Sequence, residues 1–337
     1  MRHQPNDPGP IFDLALGFWG PKALLSAVEL GVFAALAKGP RSSDDLAREL
    51  GVHPRGARDF FDALVALQML ERREGQYSNT ELTDYYLDPE KPSYAGGWLE
   101  LAGSRLYPVW NKLSDSLRTG EPGNESKHEP DYYSNLMRDP QRLRTFLRGM
   151  TGLSMAASSA IAEKFPWRDY KTFVDVGGAQ GVVAVKLAER HAHLTGCSLD
   201  LPAVGPFFDE YVSSRGLADR LRFHGADFFA DPLPSADVLI MGHVLHNWDL
   251  ERKKVLLRKA YDALSPGGAL LVYEALIDDN RSQNAFGLLM SLNMLLVTSG
   301  GFVFTGADVT GWMRECGFRQ TRVEHLGGPD SMVVAIK

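Results

Sequence analysis

The sequence of 337 residues contains only two cysteines and no excess of basic residues. Two thiols, Cys197 and Cys316, form neither a disulfide framework nor a zinc knuckle, and they fit a reducing compartment such as the cytoplasm. Lysine and arginine total 36 against 42 acidic residues, which gives a net charge of −6. Proteins that bind the phosphate backbone of nucleic acids normally have a basic excess, so this composition disfavours that class.

Segments for targeting or for crossing a membrane are also scarce. The N-terminus, MRHQPNDPGP, is polar and rich in proline, and it does not predict a signal peptide. The most apolar later stretch, residues 286–297, contains Ser291 and Asn293 and is too short and too polar to span a bilayer. With 44% hydrophobic and 23% charged residues, the composition is that of a globular protein of about two domains. We therefore expect a cytoplasmic protein without a membrane partner.

The first part of the chain is predicted to be helical and to end in a hairpin. Residues 21–36 place apolar side chains three and four positions apart, and two further helices begin at Ser43 and Pro54. A Glu-Gly-Gln turn at 74–76 joins two short segments and predicts a β-hairpin. These are the elements of a winged helix-turn-helix, which either binds DNA or serves as a scaffold for dimerisation. Six arginines against seven acidic residues over 41–80 favour the scaffold.

The rest of the chain divides into a helical region and an alternating one. Residues 94–167 have helical periodicity, and their methionine and aromatic side chains more often form a core than a ligand pocket. Beyond them, strand-like runs alternate with amphipathic helices, which predicts a mostly parallel, doubly wound sheet. The predicted strands cover 172–176, 194–199, 221–224, 238–245, 269–275, 321–325 and 331–336. The connection 326–330 is too short for a crossover, so the last two strands are predicted to be antiparallel.

A glycine-rich turn follows the first of these strands, in the run Asp175-Val-Gly-Gly-Ala-Gln-Gly181. Such a turn between a strand and a helix lets a ligand approach the backbone at the topological switch point of the sheet. Gly177, Gly178 and Gly181 do not have the spacing of the nicotinamide fingerprint, and there is no Walker lysine. The turn therefore does not predict a dinucleotide or a nucleoside triphosphate.

Two acids close the next two strands of the predicted sheet. Asp200 stands where a carboxylate accepts hydrogen bonds from ribose hydroxyls. Asp227 stands where an acid can bind the adenine amino group, with Phe228 against the ring. The glycine turn and Asp175 could hold an amino-acid tail, so the set describes a nucleoside without a pyrophosphate. We therefore predict S-adenosyl-L-methionine as the cofactor.

Several motifs occur in a fixed order after the fourth strand. They are Met241-Gly-His-Val-Leu-His-Asn-Trp-Asp249, Leu264-Ser-Pro-Gly-Gly268, Val272-Tyr-Glu274 and Ser291-Leu-Asn-Met-Leu295 ahead of Gly300-Gly301. From about residue 11 to the end, the chain resembles the small-molecule O-methyltransferases of the caffeate, hydroxyindole and bacterial antibiotic-tailoring type. The resemblance implies a Rossmann-like methyltransferase sheet with an antiparallel last strand and an N-terminal winged-helix dimerisation domain.

The same resemblance implies domain limits and a homodimer. We expect a dimerisation domain at 1–100, a helical linker at 101–170 that contributes to the acceptor pocket, and a methyltransferase domain at 171–337. The homodimer would form through the N-terminal domain, and Phe18 and Trp19 would reach the pocket of the partner. The acceptor would be a small hydroxylated metabolite, aromatic or polyketide-like.

The resemblance further assigns site residues. His246 matches the catalytic base, and Glu274 matches the acid that orients it. The residues expected to bind the cofactor are Asp175, Gly177, Gly178, Gly181, Asp200, Leu201, Asp227 and Phe228. The residues expected to line the acceptor pocket are Phe146, Met150, Leu153, Met290, Asn293 and Met294.

The sequence departs from the family pattern at three positions. Val303 stands in the place of a glutamate that flanks the histidine, Asn247 replaces an aspartate, and Ala179 replaces a glycine. The missing carboxylate leaves two other interpretations open: methyl transfer to nitrogen or carbon, and a cofactor-binding enzyme that does not methylate. A DNA-binding regulator built on the winged helix is a third. His243 and His246 have a spacing seen in metal sites, but no neighbouring acid or cysteine completes a ligand pattern, so no metal is predicted.

Overall fold

The computed structural model describes residues 7–124 and 136–337, so Tyr132 and Tyr133 of the predicted middle helices lie outside the described residues. The chain divides into two compact units, Met1–Arg105 and Leu106–Lys337.

The first unit is mainly helical and carries a small sheet. Its elements are α1 (Gly9–Leu16), α2 (Trp19–Glu29), α3 (Val32–Ala37), β1 (Arg41–Ser42), α4 (Ser43–Leu50), α5 (Pro54–Ala66), β2 (Leu70–Arg73), β3 (Gln76–Asn79), α6 (Glu81–Leu87) and α7 (Gly96–Leu101). The strands form an antiparallel sheet in the order β1-β3-β2. Phe61 and Leu64 of α5 are fully buried in one core with Tyr77 of the hairpin. The predicted winged-helix arrangement is confirmed.

The helix predicted over 21–36 is two helices. Gly31, between α2 and α3, has φ of 77°, a left-handed conformation that an α-helix cannot continue through. Glycine adopts this conformation without steric cost, so the chain turns here while Val32 and Phe33 remain buried. Periodicity alone did not show the break because the apolar positions continue in step on both sides.

Helix α1 buries none of its side chains within this unit. Ile11, Phe12 and Leu14 are 71%, 58% and 85% exposed. Among the described residues, the stretch Gly9–Glu29 is long and apolar enough to cross a membrane. A single such stretch near the N-terminus is weak evidence for a membrane span. Exposed apolar surface of this extent is typical of an interaction site.

The second unit contains a large sheet and eight helices among its described residues. Its strands are β4 (Thr172–Val176), β5 (Thr195–Asp200), β6 (Leu221–Gly225), β7 (Ala236–Gly242), β8 (Leu264–Glu274), β9 (Gln320–Gly327) and β10 (Asp330–Ile336). Its helices are α8 (Tyr107–Trp110), α9 (Leu113–Thr119), α10 (Pro140–Lys164), α11 (Val182–Arg190), α12 (Gly205–Ser213), α13 (Leu250–Ala263), α14 (Ala285–Val297) and α15 (Gly306–Glu315).

The seven strands form one sheet in the order β6-β5-β4-β7-β8-β10-β9. β4 to β8 pair in parallel, and β10 is antiparallel to both β8 and β9. Alternate residues of a strand point to opposite faces, so Phe173 packs into the core on one face and Val174 into the core on the other. The predicted doubly wound sheet with an antiparallel last strand is confirmed.

The strand predicted over 238–245 ends earlier, at Gly242. His243 has φ of 53°, which takes the backbone out of the extended conformation, and a 3₁₀ turn over Leu245–Asn247 follows. His246 therefore lies in a tight turn beyond the carboxyl end of β7. The backbone of that turn and the residues packed behind it set the orientation of the His246 side chain.

Candidate active site

Asp175 is buried at the end of β4, at the centre of the sheet. It is 2% exposed, and its Oδ2 atom has no hydrogen-bond partner among the described residues. The Oγ atom of Ser198 on β5 is also buried and without a partner in this part of the chain. Burial, and then the charge of Asp200, raise the pKa of Asp175 to about 7. Buried polar atoms without partners at a switch point are what a polar ligand would satisfy.

The backbone of the glycine loop lies directly against this carboxyl group. A Cβ atom on Gly178 would lie 2.2 Å from Oγ of Ser198 and 2.6 Å from Oδ2 of Asp175. Gly177 and Gly181 have φ of 73° and 91°, where glycine is favoured. The backbone therefore approaches the carboxyl group more closely than any residue with a side chain would allow.

Asp200, at the end of β5, holds the loop in place. Its Oδ2 atom accepts the N–H of Ala179 at 2.9 Å, and its Oδ1 atom accepts the N–H of Leu201 at 2.8 Å. Burial raises the pKa of Asp200 to about 6 although both hydrogen bonds oppose that shift. Ala179 has φ of 50°, so it takes up the left-handed conformation that glycine adopts freely. Each carboxylate oxygen keeps a second lone pair for a ligand hydroxyl.

The third strand ends beside the same loop. Asp227 is exposed and accepts the N–H of Phe229 at 2.8 Å. The Phe228 ring lies 3.7 Å from the place that a Cβ atom on Gly177 would take, and its centroid is 6.1 Å from that of Trp248. The structure therefore brings Phe228 to the glycine loop. These loops together fit an adenosyl group with an amino-acid tail.

His246 and Glu274 form a buried hydrogen-bonded pair. Nδ1 of His246 lies 2.5 Å from Oε2 of Glu274, and the backbone N–H of His246 donates to Oε1 at 3.2 Å. Glu274 ends β8 and is fully buried. Burial would raise the pKa of Glu274, but its interactions with His246 and His243 outweigh burial and lower the pKa to about 2. Glu274 is therefore ionised and fixes the orientation of the His246 ring.

Two residues that the sequence did not assign to this site lie against the pair. Nδ1 of His243 is 3.5 Å from Oε2 of Glu274, and Nε2 of His243 is 4.0 Å from Oδ1 of Asp330. His243, His246 and Glu274 each offer one ligand atom within 4.8 Å of the others. Two ligands of one zinc ion would be about 3.3 Å apart, so the 2.5 Å distance between His246 and Glu274 is that of a shared proton.

The segment after α14 passes directly behind the turn that holds His246. A Cβ atom on Gly301 would lie 2.5 Å from the carbonyl oxygen of His246, so only glycine fits this crossing. Two residues on, Val303 is buried and packs with Met290, Met294 and Ile277. The position where relatives have a glutamate therefore belongs to an apolar cluster here.

The residues predicted to line the acceptor pocket occupy two clusters. Met290 and Met294 of α14 belong to the cluster of Val303. Phe146 of α10 packs instead against a cluster that contains Leu143, Leu147 and Val204, and Ala179 of the glycine loop packs against the same cluster. Oδ1 of Asn293 accepts the indole N–H of Trp110 at 3.0 Å, which fixes the Asn293 side chain. Met150 and Leu153 are half-buried on α10.

Comparisons with known proteins agree with this geometry. An O-methyltransferase domain matches residues 110–319, and an O-methyltransferase dimerisation domain matches residues 12–89. The tetracenomycin polyketide synthesis 8-O-methyl transferase TcmO of Streptomyces glaucescens is 43% identical over 98% of this chain and 97% of its own length. The N,N-dimethyltransferase OxyT of Streptomyces rimosus is 36% identical over 97% of this chain and 96% of its own.

A solved structure extends the likeness to the whole fold. Human N-acetylserotonin methyltransferase in complex with S-adenosylmethionine superposes with a TM-score of 0.91 at 27% identity, over 100% of this chain and 99% of that chain. The fold, the glycine loop with its buried carboxyl group and the sequence likeness agree. The chain belongs to the O-methyltransferase family and is an S-adenosylmethionine-dependent O-methyltransferase with a dimerisation domain.

Proposed function

We propose that His246 is the general base that deprotonates a hydroxyl group of an aromatic, polyketide-like acceptor during methyl transfer. The observation that carries this proposal is the buried 2.5 Å hydrogen bond between Nδ1 of His246 and Glu274. Because Nδ1 donates to an ionised carboxylate, the bare lone pair of the ring is on Nε2, where it can accept a proton.

The protein itself has to supply one proton transfer. When bound, S-adenosylmethionine supplies a methyl group already activated on a sulfonium. The acceptor hydroxyl gives its proton to Nε2 of His246, its oxygen forms the new bond to the methyl carbon, and the electrons of the broken carbon–sulfur bond remain on sulfur. A phenol with a pKa of about 10 ionises too little near neutral pH, so a placed base contributes typically about 10²–10⁴-fold. Glu274 stabilises the imidazolium that forms.

The cofactor would be held by the three loops that end β4, β5 and β6. Asp175 and the backbone around Gly178 suit the amino-acid tail, because an ammonium group would satisfy the buried Oδ2 atom of Asp175. Asp200 suits the ribose hydroxyls, since its two oxygens are already directed toward the loop. Asp227 and Phe228 suit the adenine. Gly177, Gly181 and Leu201 provide close backbone approach.

The acceptor would lie against α10 and α14. Met290, Met294 and Val303 give an apolar wall, and Asn293 offers a polar group whose orientation Trp110 fixes. Phe146 and Met150 of α10 would complete the wall. A pocket with few polar groups suits a planar aromatic compound. The name of TcmO, which assigns it to tetracenomycin polyketide synthesis, supports this class.

The functional form would be a homodimer through the first unit. The apolar side chains of α1 are exposed, and Phe18 and Trp19 beside it are 51% and 62% exposed. They border an open groove of about 740 Å³ that Leu30 and Phe60 also line. A second copy of this unit would cover that surface, as the match to a dimerisation domain suggests.

A second candidate is methyl transfer to nitrogen as a further activity of the same enzyme. It is favoured by the likeness to the N,N-dimethyltransferase OxyT and by Val303, which removes a carboxylate from the site. An amine that is already neutral needs no strong base. The two candidates therefore differ in how strongly they depend on His246.

The test combines product identification with one variant. Protein, S-adenosylmethionine and a panel of polycyclic phenols and aromatic amines are incubated, and mass spectrometry and NMR locate any new methyl group. We expect an O-methyl product, S-adenosylhomocysteine in equal amount, and a loss of kcat of about 10²–10⁴-fold in H246A. The control is H224A, which removes an exposed histidine of the same unit. An H246A enzyme with nearly full activity on phenols would show that His246 is not the base.

A further inference from the structure

His243 lies beside the catalytic pair, and the proposed mechanism does not use it. The residue follows β7 with φ of 53°, a left-handed conformation that few residues other than glycine adopt, although histidine, asparagine and aspartate adopt it more often than the rest. Its side chain is only 7% exposed. Residues held in such conformations cluster at functional sites, where the surrounding contacts outweigh the strain.

Each ring nitrogen of His243 faces a carboxylate oxygen. Nδ1 lies 3.5 Å from Oε2 of Glu274, the atom that also receives the hydrogen bond of His246, and Nε2 lies 4.0 Å from Oδ1 of Asp330. A neutral imidazole has one bare lone pair, which would point at one of these two carboxylates. Only the imidazolium presents an N–H to both, so the arrangement favours the charged ring.

The contact between His243 and Asp330 also accounts for two buried atoms. Nε2 of His243 and Oδ1 of Asp330 are both buried, and neither has a hydrogen-bond partner within the ranges that the structure describes. Buried polar groups are nearly always paired, and a small rotation of either side chain closes this 4.0 Å gap. Burial lowers the pKa of His243, but Glu274 and Asp330 outweigh burial and raise it.

We propose that His243 is a positioning residue: as an imidazolium supported by Asp330, it shares the carboxylate of Glu274 with the catalytic His246. The proposal rests on the role of His246 proposed above. In the resting enzyme His243 balances the charge of Glu274, so the ring of His246 is left able to accept a proton. Two carboxylates and one imidazolium leave one net negative charge, which the proton taken up by His246 neutralises. Asp330 thus supplies the second carboxylate that Val303 cannot.

Other ionisable groups face this cluster from neighbouring elements. The Tyr273 ring packs edge-on against His243 with centroids 5.0 Å apart, and burial raises the pKa of Tyr273, so it remains neutral. Glu274 acts electrostatically on Lys253 of α13, and His325 of β9 acts on Asp330. All three residues stay in the variants below, so they contribute to every pH profile that is compared.

The first test is H243N. Asparagine tolerates the left-handed backbone and keeps an N–H donor near Glu274, but it carries no charge. With the charge of Glu274 no longer balanced, the acid limb of kcat/KM moves to higher pH by about one to two pH units. The plateau at high pH falls by no more than about 10–100-fold. H224N, at an exposed histidine, is the matched control and leaves the profile in place.

The second test examines whether Asp330 acts through His243. D330N shifts the acid limb in the wild-type background and leaves it where it is in the H243N background, because the coupling needs both partners. If D330N shifted the acid limb equally in the wild-type and H243N backgrounds, Asp330 would not act through His243.

A direct measurement separates this proposal from the role of His246. In ¹⁵N NMR spectra of histidine-labelled protein at pH 7, we expect one imidazole with both nitrogens protonated, and we expect its signals to be absent in H243N. A neutral His243 ring, or an H243N profile that coincides with the wild type, overturns the proposal. If circular dichroism shows that H243N does not fold, the ¹⁵N NMR spectra of the wild type and D330N decide whether the His243 ring is protonated on both nitrogens. An active H246A enzyme would instead refute the base, without changing the NMR result.

Discussion

The ammonium group of Lys253 lies 3.2 Å from the centre of the Phe302 ring. Lys253 is fully buried on α13, and its Nζ donates to the carbonyl oxygen of Trp248 at 2.5 Å. A lysine from another element thus directs its charge at the Phe302 ring. Through Lys253, the segment after Gly301 is packed against the end of the turn that holds His246.

Lys253→Met should change how stability depends on pH. Burial lowers the pKa of Lys253 to about 7 from 10.5. The unfolded chain therefore binds more protons between these two values, and this lysine makes the protein more stable as pH rises from about 7 to 10.5. The slope for one proton is about 1.4 kcal/mol per pH unit. Methionine keeps the apolar stem and removes the titration.

The measurement is the difference in thermal midpoint between wild type and K253M at several pH values from 7 to 10. We expect the advantage of K253M to be largest at pH 7 and to shrink as pH rises. K254M is the matched control, because Lys254 is a neighbouring surface residue paired with Glu315. A difference that is constant across this range would contradict the lowered pKa.

Glu274→Gln should lower turnover while the cofactor still binds. Glutamine keeps the size of the side chain but cannot hold the imidazolium that forms on His246 by charge. We expect kcat to fall about 10²-fold or more, with the affinity for S-adenosylhomocysteine within about threefold of the wild type. Steady-state kinetics and calorimetry measure the two quantities, and E315Q, at an exposed glutamate, is the control. Parallel losses in both would mean that Glu274 supports the fold rather than the reaction.

Gly178→Ala should weaken cofactor binding. The added Cβ atom would lie 2.2 Å from Oγ of Ser198 and 2.6 Å from Oδ2 of Asp175, so the loop or the carboxyl group must move. We expect the affinity for S-adenosylhomocysteine to fall at least tenfold in calorimetry, a loss of about 1.4 kcal/mol. Gly311→Ala, on α15 where a Cβ atom meets nothing within 4 Å, should bind as the wild type does. Normal binding by G178A would show that the cofactor does not bind at this loop.

Cofactor affinity should rise with pH between 6 and 8. The pKa of Asp175 in the free protein is raised to about 7, so its carboxyl group is mostly protonated at pH 6. An ammonium group on the ligand favours the ionised form, and binding below pH 7 therefore releases a proton. The affinity for S-adenosylhomocysteine should drop about tenfold from pH 8 to pH 6. Calorimetry in buffers of different ionisation enthalpy detects the released proton.

The control for this prediction is a pair of asparagine variants. D175N should bind weakly, with its remaining pH dependence set by Asp200, whose pKa is about 6. D169N, at an exposed aspartate of the same unit, should keep the wild-type dependence. A wild-type affinity that does not change over this pH range would show that Asp175 does not contact the charged tail.

The sequence predicted the parts of the fold and of the site that local patterns encode. The glycine turn after β4, the acids at the ends of β5 and β6, and the antiparallel last pair all follow from spacing along the chain. His246 and Glu274 came from the resemblance, and the structure places them in contact. Their roles stay predictions until the variants are measured.

What the sequence did not predict depends on contacts between distant elements. Asp330 reaches His243 because β10 pairs with β8 in a register that sets Ser331 opposite Glu274. A shift of one residue would direct the neighbouring side chains to the other face of the sheet, and no local pattern encodes this register. Lys253 likewise looks like a solvated residue on an amphipathic helix until Phe302 and Trp248 are packed over it.

The close approach at Gly301 couples the helix of the proposed acceptor pocket to the turn that holds His246. The backbone there touches the carbonyl of His246, and it continues directly from the helix that carries Met290 and Met294. A bulkier side chain introduced on that helix would press this backbone against the turn that holds His246. Substitutions on α14 that are meant to change the substrate range should therefore be checked for their effect on the orientation of His246.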